Sequence, residues 1–152
     1  MMRDVILVVA SVLILGGCAG MLRKPYISKG ISESDAAVVA IEMAAYISSR
    51  HPPARTAVAL ELPKFARWRD PVAPVLAESL RRGGFGVMET DSGVAVPAYA
   101  KRVSYAVTAW PDGVSVSIDV DGVVASRWYV RSPSGGLLAQ SPFAVRELRN
   151  VH

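Results

Sequence analysis

The sequence predicts an α+β domain of two layers, in which two helices pack on a mainly antiparallel sheet with carboxyl-terminal hairpins. Two early segments repeat apolar residues at spacings of three and four, the pattern of an amphipathic helix. After residue 100 apolar and polar residues instead alternate, and turns of Asp-Gly type separate the alternating runs. Such turns between alternating runs are a strong indication of β-hairpins. Helices and a sheet that each carry an apolar face bury both faces by packing together.

The first predicted helix begins after Ser32. A serine at this position accepts a hydrogen bond from a free backbone N–H group, and Glu33 and Asp35 suit the positive end of the helix dipole. The apolar stripe that follows consists of Ala36, Val39, Ala40, Met43, Ala44 and Ile47. Pro52 and Pro53 end the helix, and its stripe is expected to face the core.

A strand, a loop, a second helix and a second strand follow. Residues 56–62 alternate as a strand does, and residues 63–70 form a loop. Asp70 followed by Pro71 predicts the start of the second helix, with the aspartate as N-cap and the proline at the first helical position. Two glycines close this helix, and residues 85–90 predict the next strand.

The last third of the chain predicts the hairpins. The alternating runs are residues 103–110, 114–120 and 123–131, separated by turn residues at 111–113 and 121–122. Another turn at 132–136 precedes a short final strand at 143–145.

The first 17 residues predict a lipoprotein signal peptide. Arg3 and Asp4 precede an unbroken apolar run from residue 5 to residue 15. As a helix this run extends about 16 Å, about half the hydrocarbon core of a bilayer. Residues 15–18, Leu-Gly-Gly-Cys, resemble a bacterial lipobox, which implies transfer of diacylglycerol to the thiol of Cys18 and cleavage before it. Two or more acyl chains hold a domain stably at a membrane.

Two other interpretations of this segment remain open. Residues 5–22 form an uncharged stretch of 18 residues, which is at the threshold for an uncleaved membrane-spanning helix. Arg23 and Lys24 on the far side outnumber Arg3, which disfavours an anchor with its amino end inside. The other alternative is that Cys18 is an ordinary buried thiol.

Residues 18–31 predict the lipidated cysteine and a flexible basic tether, and residues 32–152 predict a single α+β periplasmic domain. The cations of the tether suit contact with anionic lipid. The alternative is that the tether is a solvated linker that makes no such contact. We expect the protein to be lipid-anchored in the bacterial envelope and to face the periplasm. Ala19 after the cysteine favours the outer membrane by analogy with lipoprotein sorting in enteric bacteria, and the choice of membrane stays open.

The residue inventory argues against several classes of function. One Cys excludes an intramolecular disulfide and multi-thiolate metal sites, and only two histidines, His51 and His152, argue against a polyhistidine metal centre. The sequence has no Gly-x-Ser-x-Gly motif, and its net charge of +4 is too modest to indicate nucleic-acid binding. We therefore predict no catalytic residue, no cofactor, no metal, no small-molecule substrate and no direct contact with nucleic acid.

One loop is a candidate for contact with a partner. Lys64, Phe65, Arg67, Trp68 and Arg69 interleave three cations with two aromatic side chains. Tryptophan and arginine dominate the energetically important positions of protein interfaces. Two alternatives stay open, namely an ordinary loop whose tryptophan packs into the core, and a surface that binds a polyanion or stacks on bases.

Three segments of the chain, together with the lipobox, resemble one known family. They are residues 35–61, residues 83–87 (Gly-Gly-Phe-Gly-Val) and residues 121–147. The pattern is similar to that of TrbH, the lipoproteins of conjugal-transfer operons of Ti-type and related plasmids. The resemblance implies a component of the mating-pair-formation machinery, a type IV secretion apparatus, with other secretion-channel subunits as partners. It carries over one functional residue, Cys18, and implies no enzymatic activity.

Two rival functions are compatible with the sequence. One is an envelope accessory lipoprotein that activates cell-wall synthesis or assists another secretion system, and the other is an envelope hydrolase. Neighbouring genes would separate the first rival from conjugal transfer, and an active-site probe would test the hydrolase.

Overall fold

Two helices and a mixed eight-stranded sheet form the fold in the computed structural model, which describes residues 24–64 and 69–147. The helices are α1 (Glu33–Arg50) and α2 (Val72–Arg82), and a 3-10 turn (Pro53–Arg55) follows α1. The strands are β1 (Tyr26–Ile27), β2 (Ala57–Leu62), β3 (Gly86–Asp91), β4 (Ala100–Trp110), β5 (Gly113–Val120), β6 (Val123–Arg131), β7 (Leu137–Ala139) and β8 (Ala144–Glu147). The predicted α+β class is confirmed.

The sheet has the strand order β3-β2-β4-β5-β6-β7, with β1 also on β4 and β8 also on β6. Four of the seven strand pairings in the described residues are antiparallel, and they include the two predicted hairpins β4–β5 and β5–β6. The pairings β2–β3, β2–β4 and β1–β4 are parallel. A parallel β2–β3 pair requires a crossover connection, and α2 supplies it.

The core lies between the helices and one face of the sheet. On β4 this face presents Val103, Tyr105 and Val107, and all three side chains are buried. The predicted apolar stripe of α1 packs against the same cluster. The alternation that predicted these strands therefore marks the face that the helices cover.

Part of the predicted tether belongs to the folded domain. Residues 106–107 of β4 pair with β1, whereas residues 100–103 of the same strand pair with β2. Ser28 continues this contact, because its N–H donates to the carbonyl of Val107 at 3.0 Å and its Oγ accepts from the N–H of Ala109 at 2.7 Å. Strand β1 thus satisfies backbone groups on the edge of β4 that β2 leaves unpaired.

Asp35 stabilises the start of α1 in two ways, through the cap with Ser32 and through an ion pair with Arg131. Its backbone N–H donates to Ser32 Oγ at 3.1 Å, and its carboxylate accepts from the N–H of Ser32 at 3.2 Å, which completes the predicted cap. The same carboxylate accepts two hydrogen bonds of 3.0 Å from Arg131, at the end of β6. Burial alone would raise the pKa of Asp35, but the hydrogen bonds from Arg131 and Ser32 outweigh it and hold the pKa below its ordinary value of 3.8.

This lowered pKa predicts acid sensitivity. Because the folded-state pKa of Asp35 lies below the unfolded-state value, its stabilisation is complete above the unfolded pKa and is lost as the pH falls through the folded pKa. Asp35→Asn should lower the free energy of unfolding by about 2 kcal/mol at neutral pH and weaken its decline toward acid pH. Urea unfolding at neutral pH and at about pH 3 measures both effects.

The control is Glu33→Gln, which removes an exposed carboxylate from the same helical turn. It should change the neutral-pH stability by less than about 1 kcal/mol. An Asp35→Asn variant with wild-type stability at neutral pH would contradict the role given to the Arg131 pair.

Each of the two hairpins contains a glycine that the structure requires, for a different reason in each. At the second turn Asp121 and Gly122 have φ angles of 51° and 87°, as in the type I′ turn that an Asp-Gly pair favours. At the first turn Trp110 pairs with Gly113, so Gly113 is the first residue of β5 and not part of the turn. A Cβ atom on Gly113 would lie 2.0 Å from the carbonyl oxygen of Tyr129 and 2.8 Å from Cζ2 of Trp128. Glycine is required here because β6 passes too close for any side chain.

Gly113→Ala should therefore destabilise the domain by about 3 kcal/mol or more, because backbone cannot yield as a flexible side chain does. Thermal or urea unfolding measures this loss. Gly86→Ala is the matched control on another strand, since its Cβ would meet only Ala57 at an ordinary 3.9 Å. Equal stabilities of the two variants would refute the close approach of β6.

Candidate functional site

An open groove with a volume of about 610 Å³ lies where β1 adjoins the segments that flank the β2–α2 loop. Residues 25–31 form one wall, and Pro63, Lys64, Arg69 and Pro71 form the other. The sequence predicted the first wall as a tether, and in the second wall it predicted Lys64 and Arg69 as partner-contact residues and Pro71 as the first position of a helix. The fold brings the two together.

The topology of β4 creates this groove. The last pair between β2 and β4 is Leu60 with Val103, and β1 occupies the next stretch of the same edge of β4. Pro25 directly precedes β1, Pro63 directly follows β2, and both are buried and line the groove. Proline has no backbone N–H group to pair, so both residues suit a place where sheet hydrogen bonding is interrupted.

The groove combines an apolar floor with a basic rim. Ile27 and Ile31 are partly buried against the core, whereas the side chains of Lys29, Lys64 and Arg69 are exposed. Neither lysine forms an ion pair with a carboxylate of residues 24–64 or 69–147. This arrangement suits an anionic group that carries an apolar portion.

Asp70 holds the wall of the groove that leads into α2. Its Oδ1 accepts hydrogen bonds from the N–H groups of Val72 at 2.8 Å and Ala73 at 3.2 Å. Pro71 already has helical backbone angles (φ −77°, ψ −13°), so Asp70 is the N-cap and Pro71 occupies the first helical position, as predicted.

The second oxygen of Asp70 reaches the centre of the sheet. The hydroxyl of Tyr105 on β4 donates to Asp70 Oδ2, and both residues are buried. Burial and the negative charge of Asp70 raise the pKa of Tyr105, so this hydroxyl stays protonated and remains a donor. The sequence predicted the cap but not this partner, which lies 35 positions further along the chain.

Removal of Asp70 should affect stability more than removal of its partner. Asp70→Ala deletes the cap and leaves the buried hydroxyl of Tyr105 without an acceptor, at a cost of about 3 kcal/mol in the free energy of unfolding. Tyr105→Phe leaves the cap intact and should cost about half as much.

Urea unfolding of the two single variants and the double variant measures the coupling. The double variant should lose less free energy of unfolding than the sum of the two single losses, because it no longer contains a buried tyrosine hydroxyl without an acceptor. Strict additivity would show that the Asp70–Tyr105 bond does not contribute to stability.

A second polar cluster joins α1 to β6. Glu42 accepts hydrogen bonds from Arg127 and from the hydroxyl of Tyr129, the latter at 2.7 Å. The guanidinium of Arg127 lies 4.3 Å from the ring centroid of Phe143, and the Tyr46 ring lies 4.9 Å from that ring. Burial and the acceptor Glu42 raise the pKa of Tyr129. No sequence pattern indicated this cluster, because Glu42 lies more than 80 positions from Arg127 and Tyr129.

Several predicted site residues lie outside the described residues, namely Cys18, Phe65, Arg67 and Trp68. Lys64 and Arg69 are described, and both line the groove. Within the described ranges no group of three or more His, Cys, Asp or Glu residues could hold a metal ion. No helix in the described part of the chain is long and apolar enough to cross a membrane.

Comparison with known proteins identifies the family. Residues 22–148 match the family model described as Conjugal transfer protein TrbH, and this range includes every helix and strand given above. No curated protein and no solved structure matches the chain significantly. Because the match extends over most of the sequence, the chain belongs to the TrbH family of conjugal transfer proteins.

Proposed function

We propose that this protein is a lipid-anchored subunit of a conjugative DNA-transfer (type IV secretion) apparatus, in which it serves a structural or assembly role through protein–protein contacts. The observation that carries this proposal is the family match over residues 22–148. Membership establishes a part in conjugal transfer, and the anchor and the mode of action are the proposal.

The anchor is assigned to Cys18. An apolar segment of signal-peptide length precedes it, and a lipobox-like sequence ends at it. Each buried methylene of an acyl chain contributes about 0.8 kcal/mol to membrane binding, so two or three chains on one cysteine retain the domain. The folded domain then faces the periplasm, and we place the anchor in the outer membrane.

An assembly role is supported by how the domain uses its charged residues. Asp35, Glu42 and Asp70 each join a helix to the sheet or cap a helix, so these acids serve the fold. In contrast, aromatic side chains are exposed on different elements. Tyr26, Tyr99 and Trp110 are 52%, 71% and 53% exposed, and large aromatic residues of this kind are common in protein interfaces. Other subunits of the secretion channel are the proposed partners.

Replacement of Cys18 tests the anchor and its role in transfer. Cys18→Ala should move the protein from the membrane fraction to the soluble fraction or leave an uncleaved precursor, because the acyl acceptor is gone. Transfer of the plasmid from donor cells should fall with it. Cell fractionation with immunoblotting and a mating assay measure the two effects.

The matched control is Gly16→Ala, which changes the lipobox-like sequence but keeps the cysteine and should preserve both membrane attachment and transfer. A Cys18→Ala protein of mature size that remains in the membrane fraction would overturn the lipid anchor. Normal transfer by donors that lack the whole protein would overturn its role in the apparatus.

A further inference from the structure

We propose that the groove between residues 25–31 and the flanks of the β2–α2 loop seats the headgroup of an anionic phospholipid from the membrane that holds Cys18. This inference rests on the lipid anchor proposed above. It assigns a ligand class to the groove and an orientation to the domain, with β1 and the start of α2 toward the membrane.

The charge of the groove matches this ligand. Lys29 and Lys64 line the groove from its two separate segments, so a phosphate in the groove would meet basic side chains from both. Both side chains are exposed, and neither has a carboxylate partner among the described residues. Lys101, by contrast, pairs with Asp121 at 2.9 Å. Lys29 and Lys64 are therefore available to an anion, whereas Lys101 at the other end of β4 is already paired.

The floor of the groove matches the remainder of a lipid headgroup. Ile27, Ile31 and the two buried prolines present apolar surface beneath the lysines. Tyr26 lines the groove and is half exposed, and tyrosine is enriched where a membrane meets water. A glycerol backbone with the first methylenes of its acyl chains fits this combination better than a free inorganic anion does.

The length of the chain before the groove supports the same occupant. Lys24, the first described residue, is six positions after Cys18, and six residues span at most about 21 Å. An acylated Cys18 therefore keeps the groove within about that distance of the membrane surface. The anchor makes headgroup binding effectively intramolecular, so millimolar affinity is sufficient to keep the groove occupied.

Lysine footprinting of the intact lipidated protein tests the proposal. The chain contains only four lysines, at positions 24, 29, 64 and 101. The protein is placed in nanodiscs of phosphatidylcholine alone or of phosphatidylcholine with phosphatidylglycerol, and lysine acetylation is followed by mass spectrometry. Acetylation of Lys29 and Lys64 should slow about fivefold in the anionic discs, the factor that corresponds to about 1 kcal/mol per basic residue at such a surface. Lys101 should react at the same rate in both.

Charge reversal supplies the matched comparison. The double variant Lys29→Glu/Lys64→Glu lowers the net charge from +4 to zero, and so does Arg55→Glu/Arg146→Glu, which changes two exposed arginines outside the groove. Amide hydrogen exchange of residues 26–31 should slow in anionic discs for the wild type and for the arginine variant, but not for the lysine variant.

Three results would overturn the proposal. They are equal acetylation of Lys29 and Lys64 in both discs, equal protection of Lys101, and protection that appears only when other purified transfer subunits are added. The last would make a protein the occupant. The lipid anchor is tested separately, by mass spectrometry of the Cys18 peptide before the discs are assembled. A peptide without the mass of diacylglycerol would show that the anchor itself is absent.

Discussion

The arrangement of the domain depends on the hydrogen bonds that the carboxylate of Asp70 accepts. A buried carboxylate is costly unless donors surround it, and Asp70 has three, from the N–H groups of Val72 and Ala73 and from the hydroxyl of Tyr105. The first two begin α2, and the third ties that helix start to the middle of β4. A neutral hydrogen-bond acceptor could cap the helix, but it would bind the phenol less strongly. One side chain thus sets both where the helix begins and where it lies on the sheet.

The groove is a consequence of this attachment. Because Asp70 holds the end of the β2–α2 loop against β4, the chain that leaves β2 returns close to the edge that it has just left. That edge is free of β2 beyond the pair Leu60–Val103, and β1 pairs with it at residues 106–107. Two segments separated by more than 30 positions in the sequence therefore become opposite walls of one groove. Its lysines need no direct support from the core, since the backbone on both sides is already fixed.

Local signals predicted much of the fold, and contacts distant in sequence account for what they missed. Ser32 and Asp70 are caps because neighbouring residues define a helix start, and the Asp121–Gly122 turn follows from two positive φ angles. Strand β1 has two residues and no periodicity, so only the free edge of β4 explains it. The turn predicted at residues 111–113 is one residue too long, since Gly113 begins β5 and is required there by the approach of β6. Two residues of the predicted contact loop line the groove, but no sequence pattern indicated that residues 25–31 of the predicted tether would lie against them.

The different placement of arginine and lysine in the domain supports a lipid as the ligand of the groove. Five arginines make ion pairs within the described residues, and three of these pairs are partly buried, Arg102 with Glu61, Arg127 with Glu42 and Arg131 with Asp35. A planar guanidinium suits such fixed geometry, because its donors match a carboxylate in direction. Besides Arg69, the groove presents Lys29 and Lys64, whose ammonium groups are compact and strongly hydrated charges on flexible stems. Such side chains bind through charge more than through shape, so they accommodate a phosphate that moves with its lipid. A rigid protein partner would gain more from arginine at these two positions than from lysine.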